Sequence, residues 1–565
     1  MARYNSKQQA KSPFRRWRYV GVLFLLFICM CALLWRMVYL TIFNRPFLKK
    51  QGDARIIRTI ELPAYRGMIT DRNGEPLAIS TPIDSVWIDP QIFTSSPEQV
   101  QQLAEKLSLA PYEILKKVAE NSTREFAYLK RGINPEISNQ IKNLDIRGVY
   151  LQREFRRFYP EGEVMAHVLG FTNIDDRGQE GIELAYEPWL RGQPGLNKVM
   201  KDRLGRVIAE IKQIRAPQPG KDIQLSIDKH VQYLAYHELK NAVQLSKAKS
   251  GSIVIMDIGT GEVLAMVNQP SYNPNLRAHF ADGRYRNRAV TDVFEPGSTI
   301  KPLSVVNALS SGKYNKNSLI DTSPGWMVLN GETVREWDRI NKGVIDIPTI
   351  LKRSSNVGIA KLTLSLDNQS LWQTLDKFGF GKSTNSGFPG EVSGVLVKRR
   401  YWSDFVLATL SFGYGLSATP LQLAHAYTVI ANRGILPPVS LLKVEGPTSG
   451  ERIIEANVAD EVLEMLRTVV EDNGTAANAQ INGYHVGGKT GTVQIAGAKG
   501  YNDQHHTAIF VGIAPITRPK LVMVVVVHDP QGKSFYGGSI SAPIFAKVMG
   551  GALRLLNILP DNLSI

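Results

Sequence analysis

A chain of 565 residues with 43% apolar and 21% charged side chains is too apolar for a disordered protein and too long for one ordinary core, so two or three domains are expected. The net charge of +16 is unevenly placed, and the +9 that remains beyond the basic first eighteen residues and Arg36 suits an anionic membrane surface or a carboxylate-rich polymer, whereas no zinc-finger or RNP-like motif supports nucleic acid as a partner. The only two cysteines, Cys29 and Cys31, lie within one apolar run, which excludes a disulfide framework elsewhere.

The first eighteen residues, MARYNSKQQAKSPFRRWR, hold six basic side chains and no acidic one. Behind them Tyr19 to Trp35 is unbroken apolar sequence, longer than the roughly 7–15 residues of a secretory h-region and not followed by a small-x-small cleavage site. As a helix this run covers roughly 25 Å, and continuing to Phe43 reaches the ~30 Å of a hydrocarbon core, with Arg36 snorkelling toward headgroups. Residues 1–18 therefore read as a cytoplasmic tail and 19–43 as an uncleaved transmembrane signal-anchor. Lys and Arg stay on the cytoplasmic side, so the chain after about residue 44 is exported. A buried core helix, the bland alternative, fits neither the basic flank nor the position.

From Asn44 to about Arg215 short strand-like runs alternate with turn-rich stretches. In RGMITDRNGEPLA (Arg66 to Ala78) the Asp-Arg-Asn-Gly reads as a hairpin turn. Pro97 to Lys117 reads as a helix with Leu103, Leu107 and Leu109 on roughly one face. APQPG, Ala216 to Gly220, is a linker by composition, which places a boundary between a domain at 44–220 and another at 221–565. Beyond it, GSIVIMDIGTGEVLAMV predicts two strands around a Gly-rich turn, LQLAHAYTVIANRG a helix ended by Gly434, and PKLVMVVVVHDP a strongly apolar strand. Strands at both ends with helices between them predict an α+β domain around one sheet.

Chemistry enters at VFEPGSTIKPLSVVNALS, which contains Ser298-Thr299-Ile300-Lys301. Three residues of spacing on a helix put Ser298 and Lys301 on one face, and Pro302 falls in the first turn, where a missing N–H costs little. A serine hydroxyl attacks poorly until a base takes its proton, and a desolvated lysine can be neutral enough to do so. The Ser298 N–H at the helix start is free to meet an oxyanion. Alone this pattern is weak, and its usual meaning is a solvated helix face. A second element, KRSSNVGIAKL, adds Ser354 and Asn356, which in an extended loop point the same way into one cavity. Ser354 could relay a proton and Asn356 could hold a substrate amide.

The third element, GYHVGGKTGT (Gly483 to Thr492), is ambiguous. Gly483 to Thr490 fits the G-x-x-x-x-G-K-[ST] phosphate loop, which needs a strand before it and a helix after it. The adjoining TVQIAGAKGY reads as strand and turn, and exported sequence has no maintained supply of nucleoside triphosphate. The alternative is the K-T-G of serine acyltransferases, with Thr490 and Thr492 on one strand face and Lys489 beside them as a cationic edge for a substrate carboxylate. Other decoys fail: His237-Glu238 lacks the second histidine of H-E-x-x-H, and His505-His506, with no ligand cluster near it, reads as a surface pair. No metal or cofactor is expected.

Ser298/Lys301, Ser354/Asn356 and Lys489-Thr490-Gly491-Thr492, in this order, resemble the penicillin-recognising serine enzymes. RGMITDRNGEPLA, RRFYPEGEVMAHVLGF, GQEGIELAYE and FGYGLSATPLQLAHAYTVIANRG are similar to signature segments of the class B, monofunctional penicillin-binding proteins, and the wording of the first domain is most like their septal, Gram-negative members. The resemblance implies an anchor helix, an elongated β-rich, non-catalytic pedestal or dimerisation domain, and a C-terminal D,D-transpeptidase domain whose sheet carries helices on both sides. It implies that Ser298 is acylated by a stem peptide ending in D-Ala-D-Ala or by a β-lactam, with Lys301 as base and Ser354 and Asn356 assisting. Lys489, Thr490, Gly491 and Thr492 would bind the donor, the Thr492 N–H would complete the oxyanion hole, and Tyr414 would line the site. Arg66, Asp71, Arg157, Glu180 and Glu183 are assigned to packing, salt-bridging or partner docking. The implied setting is the bacterial inner membrane with a periplasmic catalytic domain, beside a SEDS-type glycan polymerase and other division proteins. The alternatives left open are an elongation-type relative, a β-lactamase or carboxypeptidase, and a non-catalytic β-lactam sensor or scaffold.

Overall fold

The structure is a computed structural model that describes residues 13–202, 207–276, 283–446, 448–497, 500–532 and 534–562. Most of the expected cytoplasmic tail, residues 1–12, lies outside them. Pro13–Val38 is an α-helix that runs into one π-helical turn at Tyr39–Phe43. Its apolar part, Trp17–Phe43, has a mean hydropathy of 2.3 and no residue buried inside the protein, so it is one helix near the N-terminus long and apolar enough to cross a membrane. The helix starts before the apolar run does, with Pro13 at its beginning, where proline's fixed φ suits a first turn.

The described residues form two compact units. One holds the chain up to Ala64 with Ser85–Gln152 and Gln193–Gln218, and the other holds Tyr65–Asp84, Arg153–Gly192 and the chain from Pro219 onward. Within the first, Ile57–Leu62, Gly195–Lys201 and Val207–Arg215 form an antiparallel sheet. A separate apolar cluster there includes Val86, Leu103, Leu107 and Ile114. The stretch from Pro97 to Lys117 is not one helix. Helices at Pro97–Leu107 and Pro111–Glu120 are separated at Ser108, whose φ is 51°. Pro111 supplies no N–H and disfavours a helical Ala110, so the chain stops and restarts there.

The second unit is not a simple C-terminal block: two earlier segments belong to it, joined to each other by buried charge and to the later chain by bonds such as Asn73 Nδ2 to Asp228 at 3.1 Å and Asn287 Nδ2 to the His167 carbonyl at 3.0 Å. Arg66 donates to Glu183 at 2.8 Å and to Glu187 at 2.6 Å, and Arg157 donates to the other Glu183 oxygen at 2.6 Å. The Asp-Arg-Asn-Gly hairpin forms as expected, between Ile69–Thr70 and Pro76–Ile88. Asp71 holds it by accepting from the N–H groups of Asn73 and Glu75 at 2.8 and 2.9 Å.

Its core is a five-stranded antiparallel sheet of β1 (Ser250–Asp257), β2 (Val263–Gln269), β3 (Gly487–Gly497), β4 (Gly500–Ala514) and β5 (Leu521–His528), in the order β2-β1-β5-β4-β3. The Gly-turn pair and the apolar strand expected from the sequence are β1, β2 and β5. Nearly every residue of these three is buried, which requires cover on both faces. Helices α1 (Lys229–Leu245) and α6 (Gly537–Leu555) pack together on one face, and α4 (Pro420–Ala431) and α5 (Ala456–Val470) on the other. Between them in sequence come α2 (Lys301–Ser310) and α3 (Asn356–Leu364), which pack on each other. Every residue of α4 is buried, and a Thr419–Gln422 capping box starts it. Its end differs from expectation: Asn432 is the cap, Arg433 takes the left-handed position at φ 50°, and Gly434 then closes the turn by donating to the Val429 carbonyl at 2.8 Å.

Candidate active site

Gly297–Ile300 is a 3₁₀ turn leading into α2, with Pro302 in the first turn. Ser298 is therefore not on a regular α-helix, but three residues per 3₁₀ turn still bring positions 298 and 301 to one side. The turn is held from outside. Tyr427 of α4 donates to the Thr299 carbonyl at 2.6 Å, and the Gly297 N–H donates to the Gly413 carbonyl at 3.1 Å. A Cβ on Gly413, whose φ is 88°, would sit 2.1 Å from the Gly297 oxygen. Gly413→Ala must push the residue before Ser298 aside, and is expected to slow acylation of Ser298 by about tenfold or more in a timed labelling assay.

The Lys301 side chain is fully buried, and its Nζ donates to the Ser354 carbonyl at 2.7 Å, to Ser354 Oγ at 3.1 Å and to Asn356 Oδ1 at 2.7 Å. Burial, reinforced by the nearby Lys489 charge, holds its ammonium well below the ordinary lysine range. Lys489 is also fully buried and donates to the same Ser354 Oγ at 3.0 Å; burial pushes it down to about 7. Two amines thus converge on one hydroxyl.

Two expectations about these elements need correction. Ser354 is not in an extended loop: its φ is 55°, Ser355 caps α3, and Asn356 is the first residue of that helix. A left-handed residue before a helix start, and not strand-like alternation, turns Ser354 and Asn356 to a common cavity. Lys489 is likewise not on an exposed cationic edge. In β3, the edge strand, alternation sends Thr490 and Thr492 to the cleft and leaves Lys489 wholly buried. On the same side as Lys489, Gly491 leaves the space in which a Cβ would come within 3.1 Å of the Pro296 oxygen, so β3 lies against the Ser298 turn.

Ser298, Ser354, Asn356, Thr490, Thr492 and Tyr414 line one cleft of about 820 Å³. Burial raises the Tyr414 phenol above its usual range. The motifs gave no hint of the cleft's aromatic wall. Trp337 packs edge-on to Tyr536 at 6.1 Å, and His506 stacks on Phe535 at 4.0 Å. His505-His506 is not a surface pair: His505 bonds Asp529 at 2.6 Å, while His506 is buried and sits opposite Gln494 across β3 and β4. Adjacent strand residues face opposite ways, so the period-2 pattern was the available signal. The phosphate-loop reading fails on structure, because Lys489-Thr490 lies inside β3 and β3 continues into β4 with no helix after the glycines. Among the described residues no cluster of side chains could hold a metal ion.

A family model described as the penicillin binding protein transpeptidase domain matches residues 251–550, and one for the penicillin-binding protein dimerisation domain matches 61–225. The chain is 41% identical over 563 residues to the peptidoglycan D,D-transpeptidase FtsI of Escherichia coli, covering 99% of this chain and 95% of that one. It is 41% identical over 552 residues to the probable peptidoglycan D,D-transpeptidase PbpC of Pseudomonas aeruginosa, covering 98% and 97%. Among solved structures, penicillin binding protein 3 of Mycobacterium tuberculosis, complexed with aztreonam, superposes with a TM-score of 0.69 at 25% identity, over 89% of this chain and 98% of that one.

Proposed function

The chain belongs to the class B penicillin-binding proteins, and from that premise we propose that it cross-links peptidoglycan stem peptides at the division septum through an acyl-enzyme on Ser298. The observation that carries the reading is the convergence of two buried amines, Lys301 and Lys489, on Ser354 Oγ beside the cleft that Ser298 lines. Burial favours the neutral amine of Lys301, which keeps two of its three hydrogen bonds, turns its lone pair to Ser298 and takes that proton as Oγ attacks the penultimate D-Ala carbonyl. The N–H groups of Ser298 and Thr492 hold the oxyanion while Asn356 and the Thr490 and Thr492 hydroxyls hold the donor. Collapse breaks the C–N bond, and the proton passes from Lys301 through Ser354 to the leaving D-Ala amine. An acceptor amine on a neighbouring stem then attacks the ester, gives up a proton along the same path, and frees Ser298. A β-lactam follows the first half only, because its leaving group stays attached.

The geometry also supports a change of role for Lys489. Buried beneath the threonines, it polarises Ser354 and adjusts Lys301, and the hydroxyls above it meet the donor carboxylate. We take 44–220 as the pedestal or dimerisation domain and 221–565 as the transpeptidase domain. The helix ending at Phe43 then anchors the chain in the inner membrane with its basic end cytoplasmic, and a SEDS-type glycan polymerase with other division proteins are the partners. The test incubates the full-length protein in detergent with nascent glycan strands bearing D-Ala-D-Ala stems and reads the products by mass spectrometry. Cross-linked stems, with one D-Ala released per bond, are expected. Trimmed stems alone would make it a carboxypeptidase, and an adduct without either product would make it a sensor.

A further inference from the structure

The geometry points to Glu336 as a positioning residue of this site: its buried carboxylate clamps the Ser355–Asn356 helix start and so fixes the Ser354 turn onto which Lys301 is hydrogen-bonded. The inference rests on the acyl-transfer reading above. Glu336 ends a hairpin made by Trp326–Leu329 and Glu332–Arg335, and its own N–H donates to the Gly325 carbonyl at 3.0 Å. Its side chain is fully buried. One carboxylate oxygen accepts a short bond from the Ser355 hydroxyl, the other accepts from the Asn356 N–H at 2.9 Å, and Lys342 Nζ lies 3.6 Å away. Two further bonds join the same segments: Asn356 Nδ2 donates to the Arg335 carbonyl at 2.9 Å, and Trp337 Nε1 to the Arg353 carbonyl at 3.1 Å.

The clamp has a physical reason. Ser354 carries a Cβ in the left-handed region, which persists only where its surroundings over-determine it. The neighbours that do so are Ser355 and Asn356, both bonded to one carboxylate. A carboxylate serves three donors at once, and its charge suits the first N–H of α3; a glutamine offers a single acceptor oxygen. Asn356 Oδ1 and both Ser354 oxygens accept from Lys301, so an error of placement here passes directly to the base.

Glu336 also acts on Lys301 by charge, and the sign is definite. Beyond burial, Lys489 and Lys342 disfavour the Lys301 ammonium, while Glu336 and Asp338 favour it. The acidic limb of acylation belongs to the Lys301/Lys489 pair, with the reactive form on the alkaline side. Removing the Glu336 charge lowers the Lys301 pKa and moves that limb to lower pH; removing Lys342 moves it to higher pH.

The experiment measures the second-order rate of labelling by a fluorescent penicillin against pH, on the full-length protein in detergent, with thermal melts alongside. Glu336→Gln is expected to lose about tenfold or more in plateau rate, with its limb at lower pH than wild type. Glu336→Asp keeps the charge and should recover part of the rate with the limb near the wild-type position. Lys342→Met leaves the Ser355 and Asn356 bonds in place and should move the limb upward. A folded Glu336→Gln with wild-type rate and an unmoved limb overturns the proposal. Should Glu336→Gln not fold, a folded Ser355→Ala, which removes one of the two bonds that join the helix start to the carboxylate, with wild-type plateau rate overturns it instead. Failure of the acyl-transfer reading itself is separately visible, as an unlabelled wild type.

Discussion

Ser298→Ala is expected to abolish covalent labelling by penicillin and to reduce turnover of stem-peptide donors by roughly 10⁶-fold, the scale on which removal of an enzyme's nucleophilic serine acts. The reason is that the other hydroxyls of the three motif elements in the cleft, those of Ser354, Thr490 and Thr492, already have other work. Ser354 Oγ also faces the cavity, but it already accepts hydrogen bonds from both Lys301 and Lys489, which ties up its lone pairs and makes it a poor nucleophile. The Thr490 and Thr492 hydroxyls serve the donor carboxylate instead: in the free site Thr490 Oγ1 donates to Thr475 Oγ1 at 3.1 Å, and Thr492 Oγ1 accepts from the Gly537 N–H at 3.0 Å. The alanine variant should fold as wild type, since Ser298 Oγ has no hydrogen-bond partner among the described residues and only a small polar group leaves a partly exposed position. Intact-mass measurement after exposure to a β-lactam checks both halves. A full-occupancy adduct on Ser298→Ala would place the nucleophile elsewhere and undo the mechanism.

The second large effect lies away from the chemistry. Glu183→Ala is expected to destabilise the unit that carries Ser298 by roughly 3–5 kcal/mol, the usual cost of leaving buried charge uncompensated. Glu183 is fully buried and bonds two arginines, Arg66 and Arg157, whose side chains are only 1% exposed. Without it Arg157 keeps one bond, to Ser80 Oγ at 3.3 Å, and its Nη2 already lacks a partner. Arg66 retains Glu187, at 2.6 Å, and two backbone carbonyls. Glu187 is 20% exposed, so Glu187→Ala is expected to cost less, toward the lower figure for a partly solvated pair, about 1 kcal/mol. Differential scanning calorimetry of both variants decides the matter. Equal, small shifts in Tm would mean that water reaches the network and that strand pairing of Pro76–Ile88 with Val149–Phe158, with apolar packing, holds residues 65–84 to 153–192 without it.

The legible parts of this protein are those that local sequence can encode. The anchor helix, the strands β1, β2 and β5 and the three motif elements depend on hydropathy runs and on side-chain chemistry at short spacing, both of which are local. Ser298 and Lys301 needed only a separation of three, which survives the change from α to 3₁₀ geometry. The break at Ser108 was local too, and Pro111 announced it, yet the leucine periodicity outweighed that signal.

What only the tertiary structure decided is burial and long-range partnership. Lys489 reads identically on an exposed edge and beneath a packed loop; its fall toward 7 comes from the desolvation that the assembled site imposes. The left-handed turn at Ser354 exists because a hairpin ending at Glu336 reaches it, and no pattern near residue 354 names that partner. His506 joins the cleft because β3 pairs with β4 and sets it opposite Gln494. Arg66 finds Glu183 across 117 residues of sequence, which ties together two segments before the APQPG linker that both belong to the unit bearing Ser298. Identity and spacing of the reactive groups are written in one dimension. Their protonation states and orientations are set by which neighbours exclude water from them, and that is a property of the folded chain alone.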